Sequence, residues 1–405
     1  MTRVLIIEAS SGGVVGGSLT GLLHMIHGLD RNRVAAGLVL YEPKGIDAEM
    51  RAAGVPVYQV HRRRLPKEHA LLGVEGYRQA KRVGAIRSLL GLGRQALRLV
   101  TEELPSALRL ARVIREFRAD VVHLGNGVRA NYDGLLACWL TRTPVICHVK
   151  GFEKYAKRER AAARRIDALV PMTRAVEEHC RRAGVVSPRT LVIYDGIADE
   201  GFAPTRPPAE IRADLGIGDA PCVGVASNIQ EWKGQLVLVE AMAEVVRAVP
   251  EAKALIVGGV HRAGVEYNAR IERRIAELGL GGSIVFTGFR SDIADVTNAL
   301  DVVVHTSVRP EPFGRVILEG QLLGKPVVAV AAGGVPELIR DGETGFLFAP
   351  GDAQALAAHL IRLLRTPELR RQIGSAAREW ARDVFSMHRH VEAFSALYES
   401  LTRRD

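Results

Sequence analysis

The sequence predicts an α/β protein made of two doubly wound domains in tandem, and three observations predict it. Short apolar runs recur through both halves, with helical stretches between several of them. The alternation lapses once, near 199–221, in the Pro- and Gly-rich stretch DEGFAPTRPPAEIRADLGIGDAP, as an interdomain linker does. Finally, 405 residues exceed what one hydrophobic core usually supports.

Taken in order, RVLIIEAS reads as a buried parallel strand; the glycine-rich SSGGVVGGSL and then LTGLLHMIHGL at helical spacing complete a strand, loop and helix unit. Further strands are expected at AAGLVLYE, VPVYQV, DVVHLG, PVICHV, ALVPM and TLVIYDG. The second half repeats the pattern with CVGVASN, KALIVGG, IVFTGF, DVVVHTS, KPVVAVAAGG and GFLFAP. From Asp352 the spacing is helical to the end. The expected domains are 1–198 and 199–385, with a C-terminal helix at 386–405 packing back on the first. Open α/β sheets take ligands at the carboxyl ends of their strands, so the active site is expected between the two halves.

The chain carries a formal charge of +10, unevenly spread: residues 1–195 hold a net +14 and residues 196–405 a net −4. His61 to Arg118 has 14 Lys and Arg against 5 Asp and Glu, a concentration that attracts phosphate, an anionic polymer or an anionic membrane face. Within it, LRLARVIREF puts Leu110, Val113, Ile114 and Phe117 on one helical face as a core stripe. The stretch 76–101 sets Arg78, Lys81, Arg82 and Arg87 beside Ile86, Leu89 and Leu90, which suits peripheral membrane contact, another anionic acceptor or plain packing. RNA-recognition aromatics are missing, so nucleic acid is not an expected partner.

Glu8 interrupts the first apolar run, which argues against a signal peptide, and Ala9–Leu29, though uncharged, is too rich in Gly and Ser for a membrane span. Cys138, Cys147, Cys180 and Cys222 are too far apart for a CxxC pair and read as core thiols of a reducing compartment. The expected location is cytoplasmic, with the inner face of the membrane as a peripheral option.

The stretch EPFGRVILEG, residues 311–320, concentrates the chemistry. With DVVVHTS as a strand and RVILEGQLLG as a helix, Pro312, Phe313 and Gly314 form a helix entry whose free N–H groups suit phosphate. Glu311 then ends the strand side and Glu319 lies a turn or more along the helix, where carboxylates can take the paired hydroxyls of a sugar or ribose. The glycines of SSGGVVGGSL would let backbone approach a diphosphate, though a plain tight turn reads equally well. No DxD follows a strand to hold a metal ion, and neither a metal nor a cofactor is expected.

Several motifs in order resemble those of the retaining GT-B glycosyltransferases of family four: EPFGRVILEG as its E-x7-E motif, QEWKGQLVLVEAM as its Lys-Gly segment, AGGVPELIRDGETGFLFAPGD as its donor-side loop and REWARDVFS as its closing helix. The resemblance implies a GT-B fold of two Rossmann-like domains facing across a cleft, and metal-independent transfer of a hexose-type sugar with retention, the leaving phosphate acting as base. It implies that Glu311 contacts the donor sugar's hydroxyls, Glu319 holds the ribose, the amides of Phe313 and Gly314 face the sugar or phosphates, and Lys233 neutralises the diphosphate. By the same resemblance Gly16 and Gly17 lie beneath the donor phosphates, and His148 adjoins the reacting sugar. His123 is expected to act only indirectly.

This chain departs from the family in reading Ser227 and Asn228 where an Arg usually precedes the Lys; Asn228, Arg315 and Arg309 are the alternatives for its role. The expected partners are a nucleotide-sugar donor, UDP before GDP, and a cell-envelope glycan, lipid-linked or small-molecule acceptor. Two rival readings are a nucleotide-sugar-binding protein without turnover and a GT-B sugar-nucleotide epimerase.

Overall fold

The computed structural model describes residues 1–9, 17–62, 93 and 95–402. The chain forms two compact units: Met1–Pro171 with Glu177–Ile193 and the chain from Val391 on, and Met172–Val176 with Tyr194–His390.

In the first unit β1 (Thr2–Glu8), β2 (Val34–Leu40), β3 (Val57–Gln59), β4 (Val121–Leu124), β5 (Val145–Val149) and β6 (Ala168–Pro171) form one parallel sheet in the order β3-β2-β1-β4-β5-β6. These strands are apolar because helices cover both faces of such a sheet, and β4 and β5 are buried along their whole length. The second unit repeats the topology with β7 (Cys222–Ala226), β8 (Lys253–Val257), β9 (Ile284–Gly288), β10 (Val302–His305), β11 (Val327–Val330) and β12 (Phe346–Phe348), ordered β12-β11-β10-β7-β8-β9. In each sheet the strand order reverses at one place, between β1 and β4 and between β7 and β10. Loops diverge there and leave room for a ligand.

The four cysteines are buried free thiols. The stripe of LRLARVIREF lies in the helix Leu104–Phe117, with Leu110, Ile114 and Phe117 buried. The C-terminal helix Met387–Thr402 supplies Phe394 and Tyr398 to the first unit's core; Tyr398 Oη lies 2.7 Å from Nδ1 of the buried His123.

Two expectations need correction. TLVIYDG forms no strand: its pairing with β6 reduces to a single bridge, Leu169 with Thr190. Leu191 N–H reaches the Leu169 carbonyl at 3.0 Å and Ile193 N–H the Pro171 carbonyl at 3.2 Å, but Pro171 has no N–H to donate in return, so no second bridge forms. The Pro- and Gly-rich stretch near 199–221, expected as an interdomain linker, falls inside the second unit. It contains the helix Pro208–Asp214, and the Thr205 and Arg206 amides donate to the Asp295 carboxylate at 2.5 and 2.9 Å.

Most of 76–101, including Arg78, Lys81, Arg82 and Arg87, lies outside the described residues, so the membrane reading of that stretch gains no structural account. No helix among the described residues is long and apolar enough to cross a membrane.

Candidate active site

The second unit's site grows from the loops after β7 and β10, neighbours at the point where strand order reverses. After β7 the chain runs through Ser227 and Asn228 into the short turn Glu231–Lys233. Gln235 holds this loop from behind, donating through Nε2 to Ser227 Oγ at 3.0 Å and to the Asn228 carbonyl at 3.1 Å. Gly234 follows in a left-handed conformation, φ 69°, and a Cβ there would fall on the Thr306 carbonyl oxygen. Thr306 in turn donates from Oγ1 to the Lys233 carbonyl at 2.8 Å. The two loops are therefore stitched backbone to side chain, which fixes where Lys233 emerges.

Lys233 Nζ donates to Glu311 Oε1 at 2.8 Å, and both side chains are about five-sixths buried, 17% and 15% exposed. The ammonium also lies 4.1 Å from the centroid of the Trp232 ring. On the other side of the carboxylate, His305 Nε2 lies 2.7 Å from Glu311 Oε2, and Ser307 Oγ donates to the same oxygen at 2.7 Å. A carboxylate only accepts, so His305 carries its proton on Nε2 in this contact. Burial by itself would raise Glu311, but the hydrogen bond and pull of His305, and then Lys233, outweigh it and hold the carboxyl well below the usual carboxylate range. Glu311 is thus a fixed anion with three donors on it. Its roughly four acceptor positions leave one for a ligand hydroxyl, while Lys233 keeps N–H groups beyond the one given to Glu311.

Glu311 is positioned from behind as well. It bridges Gly333, and its carbonyl accepts from the Gly334 amide at 2.8 Å. At Gly333, φ 65°, an added Cβ would strike the Glu311 carbonyl oxygen. The GG of the AAGGVPEL stretch therefore serves this carboxylate's backbone. Beyond Pro312, Phe313 is buried and Gly314 turns left-handed, φ 106°, into the helix Arg315–Leu322; the Ile317 amide donates back to the Gly314 carbonyl at 2.9 Å, and the two amides before it precede the helical ladder. Arg315 Nε lies 3.7 Å from Glu319 Oε1 one turn on. Burial pushes the Glu319 carboxyl up, with Arg315 pulling it partly back. Protonated, it could donate to an oxygen; ionised, it could accept a hydroxyl.

The structure therefore brings Lys233 and Glu311 into contact, joins Arg315 to Glu319, and keeps Phe313 and Gly314 on the segment between. Asn228 is exposed on the Lys233 loop, its side chain open to solvent. In the first unit, His148 lies one residue before the end of β5 at 1% exposure, its ring 5.1 Å from Phe394 and 5.6 Å from His123. Gly16 lies outside the described residues, and Gly17 opens the helix Gly17–Gly28.

Two contributors went unread in the sequence: His305 and Ser307, which hold Glu311. The available signal was HTS at the carboxyl end of β10, polar residues ending a run of valines and within a few positions of the carboxylate. Ser307 also contacts His305 Nε2, at 3.2 Å.

Compared with known proteins, residues 208–380 match the family model described as glycosyl transferases group 1, and residues 16–196 the one described as glycosyl transferase 4-like domain. The chain is similar to the GDP-mannose-dependent alpha-(1-6)-phosphatidylinositol monomannoside mannosyltransferase of Mycolicibacterium smegmatis, 29% identical over 74% of this chain and 81% of that one. It is 30% identical to the N-acetyl-alpha-D-glucosaminyl L-malate synthase of Bacillus anthracis over 53% of this chain, a match spanning about half, 54%, of that relative's length. Among solved structures, HepE of Anabaena in complex with UDP superposes with a TM-score of 0.78 and 26% identity, covering 99% of this chain and 100% of that one.

Proposed function

From a chain that belongs to the glycosyl transferases group 1 family, has the GT-B fold and acts on sugar nucleotides as a glycosyltransferase, we infer a retaining, metal-independent hexosyltransferase. The observation that carries this reading is the Lys233–Glu311 contact beside the amide-rich start of the helix Arg315–Leu322. A diphosphate placed at those amides gains charge as the glycosidic bond breaks. Lys233 stabilises it by exchanging part of its contact with Glu311 for phosphate oxygens. Glu311, kept ionised by His305 and Lys233, takes a hydroxyl of the donor sugar, and Glu319 takes the ribose. Asn228, Arg315, Phe313 and Gly314 complete the donor contacts, with Gly16 and Gly17 on the phosphates and His148 at the reacting sugar. The departing phosphate serves as base for attack from its own face, so no enzymic nucleophile is required. Lys233 and the helix amides do the work that a divalent metal does elsewhere.

UDP is the favoured donor nucleotide, supported by the UDP complex of the similar HepE; GDP is the alternative, supported by the GDP-mannose-dependent relative. The proposed acceptor is a cell-envelope glycan or lipid-linked intermediate, and the relatives' names supply phosphatidylinositol mannoside and L-malate as precedents, both acidic.

The test pairs a thermal-shift screen of UDP- and GDP-sugars, with EDTA and with magnesium, with a measurement of nucleotide release and of the anomeric configuration of the product. The expected result is stabilisation and release by one nucleotide series, unaffected by EDTA, with an unchanged anomeric configuration. Binding without release supports the non-turnover rival, and conversion of the donor sugar without an acceptor supports the epimerase.

A further inference from the structure

In the first unit the segments after β4 and β5, with Gln95 and Arg98, line an open cavity of about 460 Å³. Four cations line it, Arg98, Arg129, Lys154 and Arg158, against one carboxylate, Glu159. The remaining acids lie beneath the cations and do not line the void. Glu102 and Glu103, 8% and 3% exposed, are turned inward together by the π-helical turn Leu99–Glu103, a local winding that is rare and concentrated at functional sites. Arg98 Nε lies 3.1 Å from Glu102, and Arg158 holds Glu103 through both terminal nitrogens at 2.9 Å each.

Arg158 is also stacked 4.4 Å over the Tyr132 ring, so its guanidinium is fixed in plane and direction. Each terminal nitrogen bonded to Glu103 retains a second N–H. Arg129 and Lys154 are exposed at the rim. Burial, relieved in part by the Arg129 amide and charge, pushes the neighbouring Glu153 up to about 7, which reduces the negative charge beside Arg129 at neutral pH.

We propose that this cavity binds the acidic group of the acceptor, a phosphate or carboxylate carried on a sugar or cyclitol. The proposal rests on the glycosyltransferase reading and names the acceptor class within it. A guanidinium with a locked plane and an adjoining lysine suit the tetrahedral or planar oxygens of such groups. Ligand pockets commonly span about 300–1,000 Å³, so the cavity has room for the ring that bears the acid. The acid comes either from a soluble sugar acid or phosphate or from a lipid headgroup, and the same cations serve both.

The experiment uses the full chain with and without excess UDP. Calorimetry measures binding of glucose 6-phosphate, glucuronate and glucose, and co-sedimentation measures binding to phosphatidylcholine vesicles with and without phosphatidylinositol. The expected result is that an acidic sugar, or the phosphatidylinositol vesicles, binds at least tenfold more tightly than its neutral counterpart. That binding weakens tenfold or more in Arg129→Ala and in Lys154→Ala and recovers in Arg129→Lys. Both side chains are exposed, and circular dichroism of each variant establishes that it is folded. The soluble and vesicle arms distinguish the two sources. Equal binding of acidic and neutral probes in both arms overturns the proposal, as does acidic binding that persists in the doubly substituted chain. Nucleotide release by the unaltered protein tests the glycosyltransferase reading separately, since it does not depend on these probes.

Discussion

Beyond the ends of β7 and β10 the second unit sets one lysine against one glutamate, with a histidine and a serine steadying the acid from behind. Beyond β4 and β5 the first unit does the reverse, lining a cavity with cations and sinking their carboxylate partners underneath. The sheets that carry these loops share one strand order. Topology supplies two equivalent places for a ligand, and the loop side chains decide what each can hold. In the second unit the charges are matched and pre-organised, so a ligand enters by exchanging partners. In the first, Arg98 and Arg158 are paired with buried carboxylates while Arg129 and Lys154 are exposed at the rim, so a ligand enters by meeting cations that face solvent.

The sharpest way to break this contrast is Lys233→Ala. Removing the matched cation should lower kcat/KM for the nucleotide sugar by roughly 10²–10³-fold, as loss of a single oxyanion-stabilising donor does elsewhere. Steady-state nucleotide release measures it, and an unchanged value removes Lys233 from the mechanism.

Next in size is His305→Ala, which should lower kcat by about tenfold with a smaller change in the donor KM, the pattern of a lost positioning group. Its second readout is the pH profile. Glu311 is held low, with His305 the largest of the lowering influences, so the unaltered enzyme keeps this carboxylate ionised through the acid range. Without His305 the carboxyl moves back toward its ordinary value, and the acid limb of kcat/KM shifts to higher pH. A profile that does not move shows that His305 does not act through Glu311.

Gly234→Ala tests whether the stitching of the two loops matters. With φ at 69° and the Thr306 carbonyl in the way, the substitution should cost about 2 kcal/mol, read as a lower midpoint in urea. Gly216, also left-handed at φ 65° but with open space around it, serves as the control and should cost less.

The smallest effect belongs to the first unit. Glu153 is raised to about 7 in the fold from an ordinary value near 4.5, so the folded state prefers its neutral form. Its contribution to stability is full below pH 4.5 and is lost as pH rises through about 7. Glu153→Gln should therefore raise the melting temperature relative to the unaltered chain more at pH 8 than at pH 5. Equal differences at the two pH values remove Glu153 as an ionising group.

Much of the second unit was legible because its residues announce themselves locally. Each of its six expected strands forms, since runs such as DVVVHTS and KPVVAVAAGG encode burial on both faces over a few consecutive positions. EPFGRVILEG likewise states its own turn, Gly314 leading into the helix Arg315–Leu322. TLVIYDG misled because its composition is that of a strand while its intended neighbour ends in Pro171, and one residue's composition does not reveal the donor missing from another.

The sequence by itself determined the fold class, the repeated alternation of strand and helix, and the stretch where a helix start stands between two glutamates. Periodicity and helix-entry chemistry are properties of neighbours along the chain. Only the tertiary structure decided that Lys233 would reach Glu311, that His305 and Ser307 would hold the carboxylate's other oxygen, and that Glu103 would lie beneath Arg158. Those pairings join loops and helices brought together by strand order, and the electrostatic state of each acid depends on burial and on donors whose directions exist only once the sheets have formed.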